Sequence, residues 1–384
     1  TGCYAQRDPE AIAVLKGVDL LIGNREKMNL LAYVEAAMVE REAACRVVVG
    51  QDPTIEDFLD LDPSFHGDLT RATLKVQDGC DEHCTYCIIP QVRGVSQSRP
   101  LPHIIERAQE IVREGYKEIA LTGVNTGSYH DRGASLIDLV EALSRIDGLC
   151  RIRLNSLEPR SVTDDLIGCA AGIEKVCHHF HIPLQSGDDT ILHRMGRRYD
   201  TRYYTERVER IVGFLPDAAI GADVMVGFPG EDDRAFERTV RFIEGLPLTY
   251  LHVFTYSLRE GTPSVRIRGR VGSQQKVQRS AVLRELGRKK REAFLRRFIG
   301  QPVDVLVEAK RDPLTGRLTG LTGNYIRVHV ETEGQKQMAD GRWQMTNRQG
   351  VGTEGEDLVN RIVETTLLET QNGSALGTLR RVVV

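Results

Sequence analysis

Three cysteines fall within eight positions in the segment Cys80-Asp81-Glu82-His83-Cys84-Thr85-Tyr86-Cys87. The segment follows an apolar-alternating run, Arg71–Gln77, whose pattern predicts a β-strand. Cysteine thiolates bind iron–sulfur clusters, and a cluster of four irons usually takes four of them. Three thiolates would leave one iron without a protein ligand, and an open position is what a metal needs if a substrate must bind it. The spacing therefore indicates a reactive iron–sulfur cluster.

Other interpretations of these cysteines are weaker. A disulfide framework is disfavoured because 8 cysteines in 384 residues are sparse and no secretory segment is recognised. The polar neighbours Asp81, Glu82 and His83 are not typical of cysteines buried in a core. A structural zinc site would need a fourth ligand, and His83 within the loop is the only candidate nearby. Zinc stays open as the alternative.

Composition limits the class of protein. A chain of 384 residues can form two or three domains, and its net charge of −3 means that any nucleic-acid site must be local. No run of 18 apolar residues occurs, so no membrane span is expected. Sparse cysteines and an oxygen-sensitive motif favour the reducing cytoplasm. Because the chain starts at Thr1 within what looks like an element, we expect that a front segment is missing.

From Arg71 onward, strand-like and helix-like segments alternate. The predicted strands are 71–78, 117–122, 150–155, 178–182, 219–226 and 249–256. The predicted helices are 102–114, 135–146, 201–213 and 231–245. Six βα units in series predict a parallel sheet, and a partial (β/α)6 barrel fits best. Its chemistry is expected at the carboxyl ends of the strands.

Polar, glycine-bearing segments occur at the ends of strands two to five: strands two to four end in Thr122–Gly127, Asn155–Pro159 and Ile182–Gly187, and strand five runs through Gly221–Gly230. Any one of them could be an ordinary turn, but four on one face of a barrel favour a ligand site. The run His178-His179-Phe180-His181 places two histidines on one strand face and His178 on the other. Packed or hydrogen-bonded histidines are the commoner outcome there, with a metal role as the alternative.

The segments around the barrel have different characters. Residues 1–64 resemble part of a small α/β domain, with a linker at 51–65, and residues 65–298 form the barrel. Between Arg259 and Arg297 there are thirteen Lys or Arg and only three Glu, an excess of positive charge that suits phosphate contacts. The candidate RNA-binding residues are Arg284, Arg288 and Lys289. Short strands after Gly300, including Tyr325–Glu331 and Asp357–Val363, predict a small β-barrel over 299–371. Residues 372–384 are expected to be a loose tail.

The cysteine motif after a first strand, with aromatic Tyr86 before the last cysteine, resembles the radical S-adenosylmethionine superfamily. The whole chain is similar to its methylthiotransferase branch, which has an N-terminal cluster domain, a radical barrel and a C-terminal TRAM β-barrel. Four segments look most like the MtaB group: Thr1–Gln6, Leu121–Gly127, His181–Gly187 and His252–Ser257. That group adds a methylthio group to carbon 2 of N6-threonylcarbamoyladenosine beside the tRNA anticodon.

The resemblance implies cofactors, partners and site residues. It implies two [4Fe-4S] clusters in the intact protein, one on Cys80, Cys84 and Cys87 and an auxiliary one whose third ligand matches Cys3. It implies S-adenosylmethionine bound by strand-end loops, and the candidate contacts are Gly123, Asn125, Ser156, Glu158, Gln185 and Asp223. The implied partners are the tRNA anticodon loop and an electron donor such as flavodoxin or ferredoxin. A cytoplasmic monomer is expected.

Several rival functions remain. The sister enzyme acting on isopentenyladenosine in tRNA is the nearest, and the ribosomal-protein aspartate methylthiotransferase is further away. A radical enzyme of porphyrin synthesis would share the cysteine motif but would lack the terminal β-barrel. A non-catalytic RNA-binding iron–sulfur protein would not need glycine-rich loops at every strand end.

Overall fold

The computed structural model describes residues 1–40, 45–50, 70–331, 335–337, 343–345, 358–371 and 373–384. The predicted linker 51–65 and the boundary between residues 64 and 65 lie outside these residues. The N-terminal segment pairs two short parallel strands and packs helices beside them. Its elements are α1 Cys3–Arg7, α2 Pro9–Ala13, β1 Leu20–Ile22, a 3-10 turn Glu26–Asn29, α3 Leu30–Glu40 and β2 Arg46–Val48.

The central segment alternates strands and helices as predicted. Its first half comprises β3 Arg71–Lys75, β4 Gln77–Asp78, α4 Ile89–Arg93, β5 Gln97–Ser98, α5 Leu101–Arg113, β6 Glu118–Thr122, β7 His130–Asp131, β8 Ala134–Ser135, α6 Leu136–Ser144 and β9 Arg151–Leu154. Its second half comprises α7 Asp164–Gly172, β10 His179–His181, α8 Asp189–Arg194, α9 Thr201–Phe214, β11 Ala219–Val226, α10 Asp233–Gly245, β12 Tyr250–Thr255 and α11 Ser273–Arg296.

Six of these strands form the parallel sheet of the central segment. The order is β3-β6-β9 and then β10-β11-β12, with every pair parallel. A bridge between Ile152 and Val176 joins the two halves. Strands in chain order with helical crossovers are what the predicted (β/α)6 arrangement requires. Among the described strands, β3 and β12 do not pair with each other, so this barrel is open on one side.

The two faces of the sheet have opposite character because successive side chains alternate across it. The outer face is apolar: Leu74, Ile119, Ile152, Phe180 and Val224 are each at most 3% exposed and pack under the helices. The alternate positions carry charged and polar side chains into the lumen. Of the helices that the structure describes, none combines the length and the apolar character needed to cross a membrane.

The C-terminal segment is a closed five-stranded β-barrel, as predicted, with the order β13-β14-β15-β19-β18. An additional two-stranded hairpin, β16 and β17, lies between β15 and β18 along the chain. The elements are β13 Pro302–Arg311, β14 Leu318–Thr322, β15 Arg327–Glu331, β16 Gln335–Gln337, β17 Trp343–Met345, β18 Ile362–Gln371 and β19 Ser374–Val382.

The predicted tail at 372–384 is wrong. Strand β19 pairs with β18 and β15, and these two pairings close the barrel. The sequence signal was the pair Asn372-Gly373, which favours a tight turn between paired strands. Two strand boundaries also differ from the prediction. The strand predicted at Tyr325–Glu331 is β15 and starts at Arg327, because Tyr325 has a φ of 65°. The strand predicted at Asp357–Val363 is β18, Ile362–Gln371.

Charged residues form the floor of the lumen. The Glu118 carboxylate is fully buried and accepts from Arg153 Nε at 2.7 Å. Arg151 lies 3.8 Å and Arg71 4.0 Å from the same carboxylate. The Tyr325 ring enters from the C-terminal barrel, and Arg153 lies 5.4 Å above it. The two segments therefore share one buried polar interface.

Replacing Glu118 by Gln should destabilise the protein by about 3 kcal/mol or more, because it leaves the buried guanidinium of Arg153 without its counter-charge. Chemical denaturation followed by circular dichroism measures the change. The matched control is Glu141→Gln, whose pair with Arg145 is exposed, and it should cost at most about 0.5 kcal/mol. Equal losses in the two variants would contradict the role given to the floor.

Candidate active site

The cysteine loop lies between β4 and α4, at the carboxyl end of the first barrel strand. Gly79 starts the loop with a φ of 70°, and a Cβ there would come within 1.9 Å of the Val95 carbonyl oxygen. Only glycine fits such a position without a shift of the backbone. The middle of the loop is fixed by Thr85, whose N–H donates to the Met195 carbonyl at 2.9 Å. Local backbone constraints thus hold the cysteines at the predicted barrel face.

The three thiols suit a cluster better than a single zinc ion. All are free, and burial raises the pKa of Cys80 to about 11 and also raises that of Cys87. A bound metal would deprotonate them. A tetrahedral zinc with bonds of about 2.3 Å would hold its sulfurs about 3.8 Å apart. In the part of the chain that the structure describes, the three sulfurs are not a group with mutual distances within 4.8 Å. Thiolates on different irons of a cubane are spaced more widely, so a spacing beyond that of one zinc ion is compatible with a cluster.

A guanidinium lies against the loop. Arg197 donates from Nη1 to Cys84 Sγ at 3.1 Å and from Nε to Tyr199 OH at 3.0 Å, and it pairs with Glu158. Burial raises the pKa of Glu158, and the Arg197 charge opposes that shift. No sequence pattern singles out Arg197, because it follows a helix rather than a strand. Hydrogen bonds to the sulfurs tune a cluster, so this contact belongs to the site.

Five of the six predicted cofactor contacts follow the carboxyl ends of strands, and the sixth, Asp223, lies within β11. Gly123 packs on Gln77, where a Cβ would meet the side-chain oxygen at 2.9 Å, and Asn125 is buried with an Oδ1 that has no partner among the described residues. Ser156 and Gln185 have φ angles of 56° and 65°. Such backbone strain is concentrated at functional sites.

Backbone contacts connect these positions. Thr126 donates its N–H to the Ser156 carbonyl at 3.1 Å, and Gln185 donates to the Asp223 carbonyl at 2.8 Å. Glu158 and Asp223 are close enough that the Asp223 charge adds to the rise in the pKa of Glu158. The strand-end loops therefore form one continuous edge with an unpartnered amide oxygen, which is suitable for a polar ligand.

Cys3 is the first residue of α1, near the cysteine loop. Its Sγ accepts from Arg93 Nε at 3.2 Å, and Arg93 also donates to Asp78 Oδ1 at 3.0 Å, next to the loop. A single side chain thus connects Cys3 to the residues that precede Cys80.

The predicted RNA contacts border a cavity of about 820 Å³ between β12, α11 and the C-terminal barrel. Arg284 and Arg288 line it, whereas Lys289 is exposed beside it. Three further arginines also line the cavity: Arg291, Arg296 and Arg327. Arg327 was missed because the C-terminal barrel is nearly neutral in sequence. Its contribution arises only when the two segments meet.

Comparison with known proteins identifies the family. The sequence model described as the Radical SAM superfamily matches residues 74–243. The threonylcarbamoyladenosine tRNA methylthiotransferase MtaB of Bacillus subtilis is 36% identical over 85% of this chain and 73% of its own length. The chain belongs to the radical S-adenosylmethionine methylthiotransferases. Among further methylthiotransferases, MtaB of Aquifex aeolicus is 37% identical over 88% of this chain and 80% of its own length. The tRNA-2-methylthio-N(6)-dimethylallyladenosine synthase of Bartonella tribocorum is 34% identical over 87% of this chain and 74% of its own length.

Anaerobic reconstitution followed by iron analysis tests the cysteine loop of this methylthiotransferase. Replacing Cys84 by Ala should lower the iron content by about four per chain, because three thiolates hold the cluster together. Cys150→Ala removes a thiol outside the loop and should leave the iron content unchanged. Undiminished iron in the Cys84 variant would show that the loop does not hold the cluster.

Proposed function

We propose that this protein converts N6-threonylcarbamoyladenosine in the anticodon loop of tRNA to its 2-methylthio derivative. The observation that carries the proposal is the three-cysteine loop at the strand ends of a chain that shares 36–37% identity with MtaB enzymes. Relatives named dimethylallyladenosine synthases lie at 33–37% identity, so the dimethylallyl substrate is the second candidate.

In this function Cys80, Cys84 and Cys87 hold a [4Fe-4S] cluster. When bound, the cluster would supply the one-electron reduction of S-adenosylmethionine on which radical chemistry depends. The protein itself would orient the groups around the cysteines and offset their negative charge. Arg197 offsets negative charge at Cys84, and the pair it forms with Glu158 fixes its direction. A flavodoxin or ferredoxin would deliver the electron to this site in the cytoplasm.

The proposed site for S-adenosylmethionine is the region that carries Gly123, Asn125, Ser156, Glu158, Gln185 and Asp223. Support comes from the Oδ1 of Asn125, which has no partner among the described residues and can accept from a ligand. Asp223 is connected to this region because its carbonyl accepts from the Gln185 N–H at 2.8 Å.

Cys3 is proposed to contribute one thiolate to an auxiliary cluster. Support comes from its contact with Arg93, a cation that would lie beside the charge of that cluster. The C-terminal barrel is proposed to be a TRAM-like RNA-binding module, and the support is its closed five-stranded form and Arg327 on its cavity face.

Mass spectrometry of tRNA nucleosides tests the reaction. Cells that lack the gene should lose 2-methylthio-N6-threonylcarbamoyladenosine and accumulate the unthiolated nucleoside. The wild-type gene and a Cys150→Ala gene should restore the product, and a Cys84→Ala gene should not. Loss of the methylthio-dimethylallyl nucleoside instead would establish the second candidate, and an unchanged nucleoside profile would exclude both.

Replacing Arg284, Arg288 and Lys289 by Gln in one triple variant should weaken tRNA binding, because phosphate contacts depend on these charges. The dependence of log K on log salt should flatten by roughly 0.9 for each phosphate interaction removed on duplex regions, or by roughly 0.7 on single strands. Fluorescence anisotropy at several salt concentrations measures both quantities.

The matched control for this prediction removes three exposed cations from outer helices, Arg113, Arg145 and Arg241. It changes the net charge equally and should leave the salt slope unchanged. If both triple variants behave alike, the cations of α11 act only through the net charge of the protein.

A further inference from the structure

Three metal-ligand side chains meet on the lumen face of β10, β11 and β12. Asp223 is paired in register with His252, and His181 is paired with Gly221, which lies two residues before Asp223. His181 Nε2 lies 2.9 Å and His252 Nδ1 lies 3.4 Å from the same oxygen, Asp223 Oδ1. All three ligand atoms are within 4.8 Å of one another. Bonds of about 2.0–2.2 Å to one metal ion require separations of this size.

A buried phenol holds the first histidine in place. Tyr250 OH lies 3.2 Å from His181 Nδ1 and 2.8 Å from His179 Nε2. His181 therefore turns only Nε2 toward Asp223. With a metal on Nε2, the proton of His181 would be on Nδ1, and this N–H would donate a hydrogen bond to the Tyr250 oxygen. The Tyr250 hydroxyl would in turn donate a hydrogen bond to His179 Nε2. Metal-bound histidines are usually oriented by such a hydrogen bond at the second nitrogen.

The charge at this position is not balanced by a permanent cation. The Asp223 carboxylate lies within ion-pair distance of His181 and His252. In the described ranges, those two histidines are its only ion-pair partners. The nearby carboxylate of Glu158 is of the same sign, although Arg197 pairs with it. A divalent cation would balance this charge.

The cluster is also open toward the lumen. The side chain of His252 is 51% exposed, that of Asp223 26% and that of His181 16%. A metal on the three atoms would thus keep coordination positions that a ligand in the lumen can reach. Two imidazoles and one carboxylate on one side of an ion, with open positions opposite, form a set that suits Fe²⁺, Mn²⁺ or Zn²⁺.

We propose that His181, Asp223 and His252 bind one divalent first-row metal ion, separate from the cysteine loop, whose open positions face the lumen. The use of the site rests on the proposed function: the lumen receives the modified adenosine, and the carbonyl and carboxylate oxygens of a threonylcarbamoyl group are suitable ligands. An apolar dimethylallyl group offers none. The metal site itself stands without that step.

Mn²⁺ is the probe, because it favours oxygen and nitrogen ligands and competes poorly for the thiolates of the cysteine loop. The reconstituted protein is titrated without tRNA or S-adenosylmethionine, and free Mn²⁺ is followed by electron paramagnetic resonance. One ion per chain should bind. Asp223→Asn and His252→Gln should each weaken binding at least tenfold, and Tyr250→Phe about 10- to 100-fold.

The matched control is His178→Gln. His178 is next to β10 but on the opposite face, 3.7 Å from Asp217, so its loss should leave Mn²⁺ binding unchanged. The absorbance of the reconstituted cluster checks that each variant is folded, and the half-exposed His252 is the substitution least able to disturb folding. Absence of bound Mn²⁺, or equal binding by wild type, Asp223→Asn and His252→Gln, would overturn the proposal. Neither result bears on methylthiolation, because no turnover is measured.

Discussion

The buried carboxylate of Glu118 is the constraint on which the central barrel depends. Its lumen carries charged residues from several strands, and charges so far from water must be paired. Arg153 is satisfied by Glu118 on one side and by the Thr322 and Gly323 carbonyls of the C-terminal barrel on the other. The radical barrel therefore has a complete floor only when the smaller barrel is in place. The two barrels share these buried polar contacts, although their hydrophobic cores are two separate clusters.

Much of the architecture could be predicted because it rests on local patterns. Alternation along each strand and helical spacing between strands identify the parallel sheet, and the three-cysteine spacing identifies the loop. Contacts between distant segments could not be predicted in this way. Arg197 lies 113 residues from Cys84, and Tyr325 enters the lumen from another barrel. A conspicuous histidine run was visible in the sequence, but the partners of His181 come from two neighbouring strands. Only the strand register brings those groups together.

The site combines regions of opposite charge. The lumen contains ionised Asp223 and the carboxylate of Glu158, whereas the cavity beside β12 is lined by five arginines. His252 borders both regions, since it contacts Asp223 and also lines the arginine cavity. A polyanion attracted to the cavity would therefore meet the Asp223 carboxylate at its edge, beside His252.

The contacts that dock the C-terminal barrel have an evolutionary consequence. Arg151 and Arg153 bind it through main-chain carbonyls, those of Asp304, Leu321, Thr322 and Gly323. Every amino acid supplies the same carbonyl, so substitutions at these four positions keep the acceptors in place as long as the backbone path is unchanged. These four contacts thus tolerate substitutions in the small barrel, whereas the Tyr325 ring and the Glu308 carboxylate, which pairs with Arg71 at 2.9 Å, depend on the side chain itself.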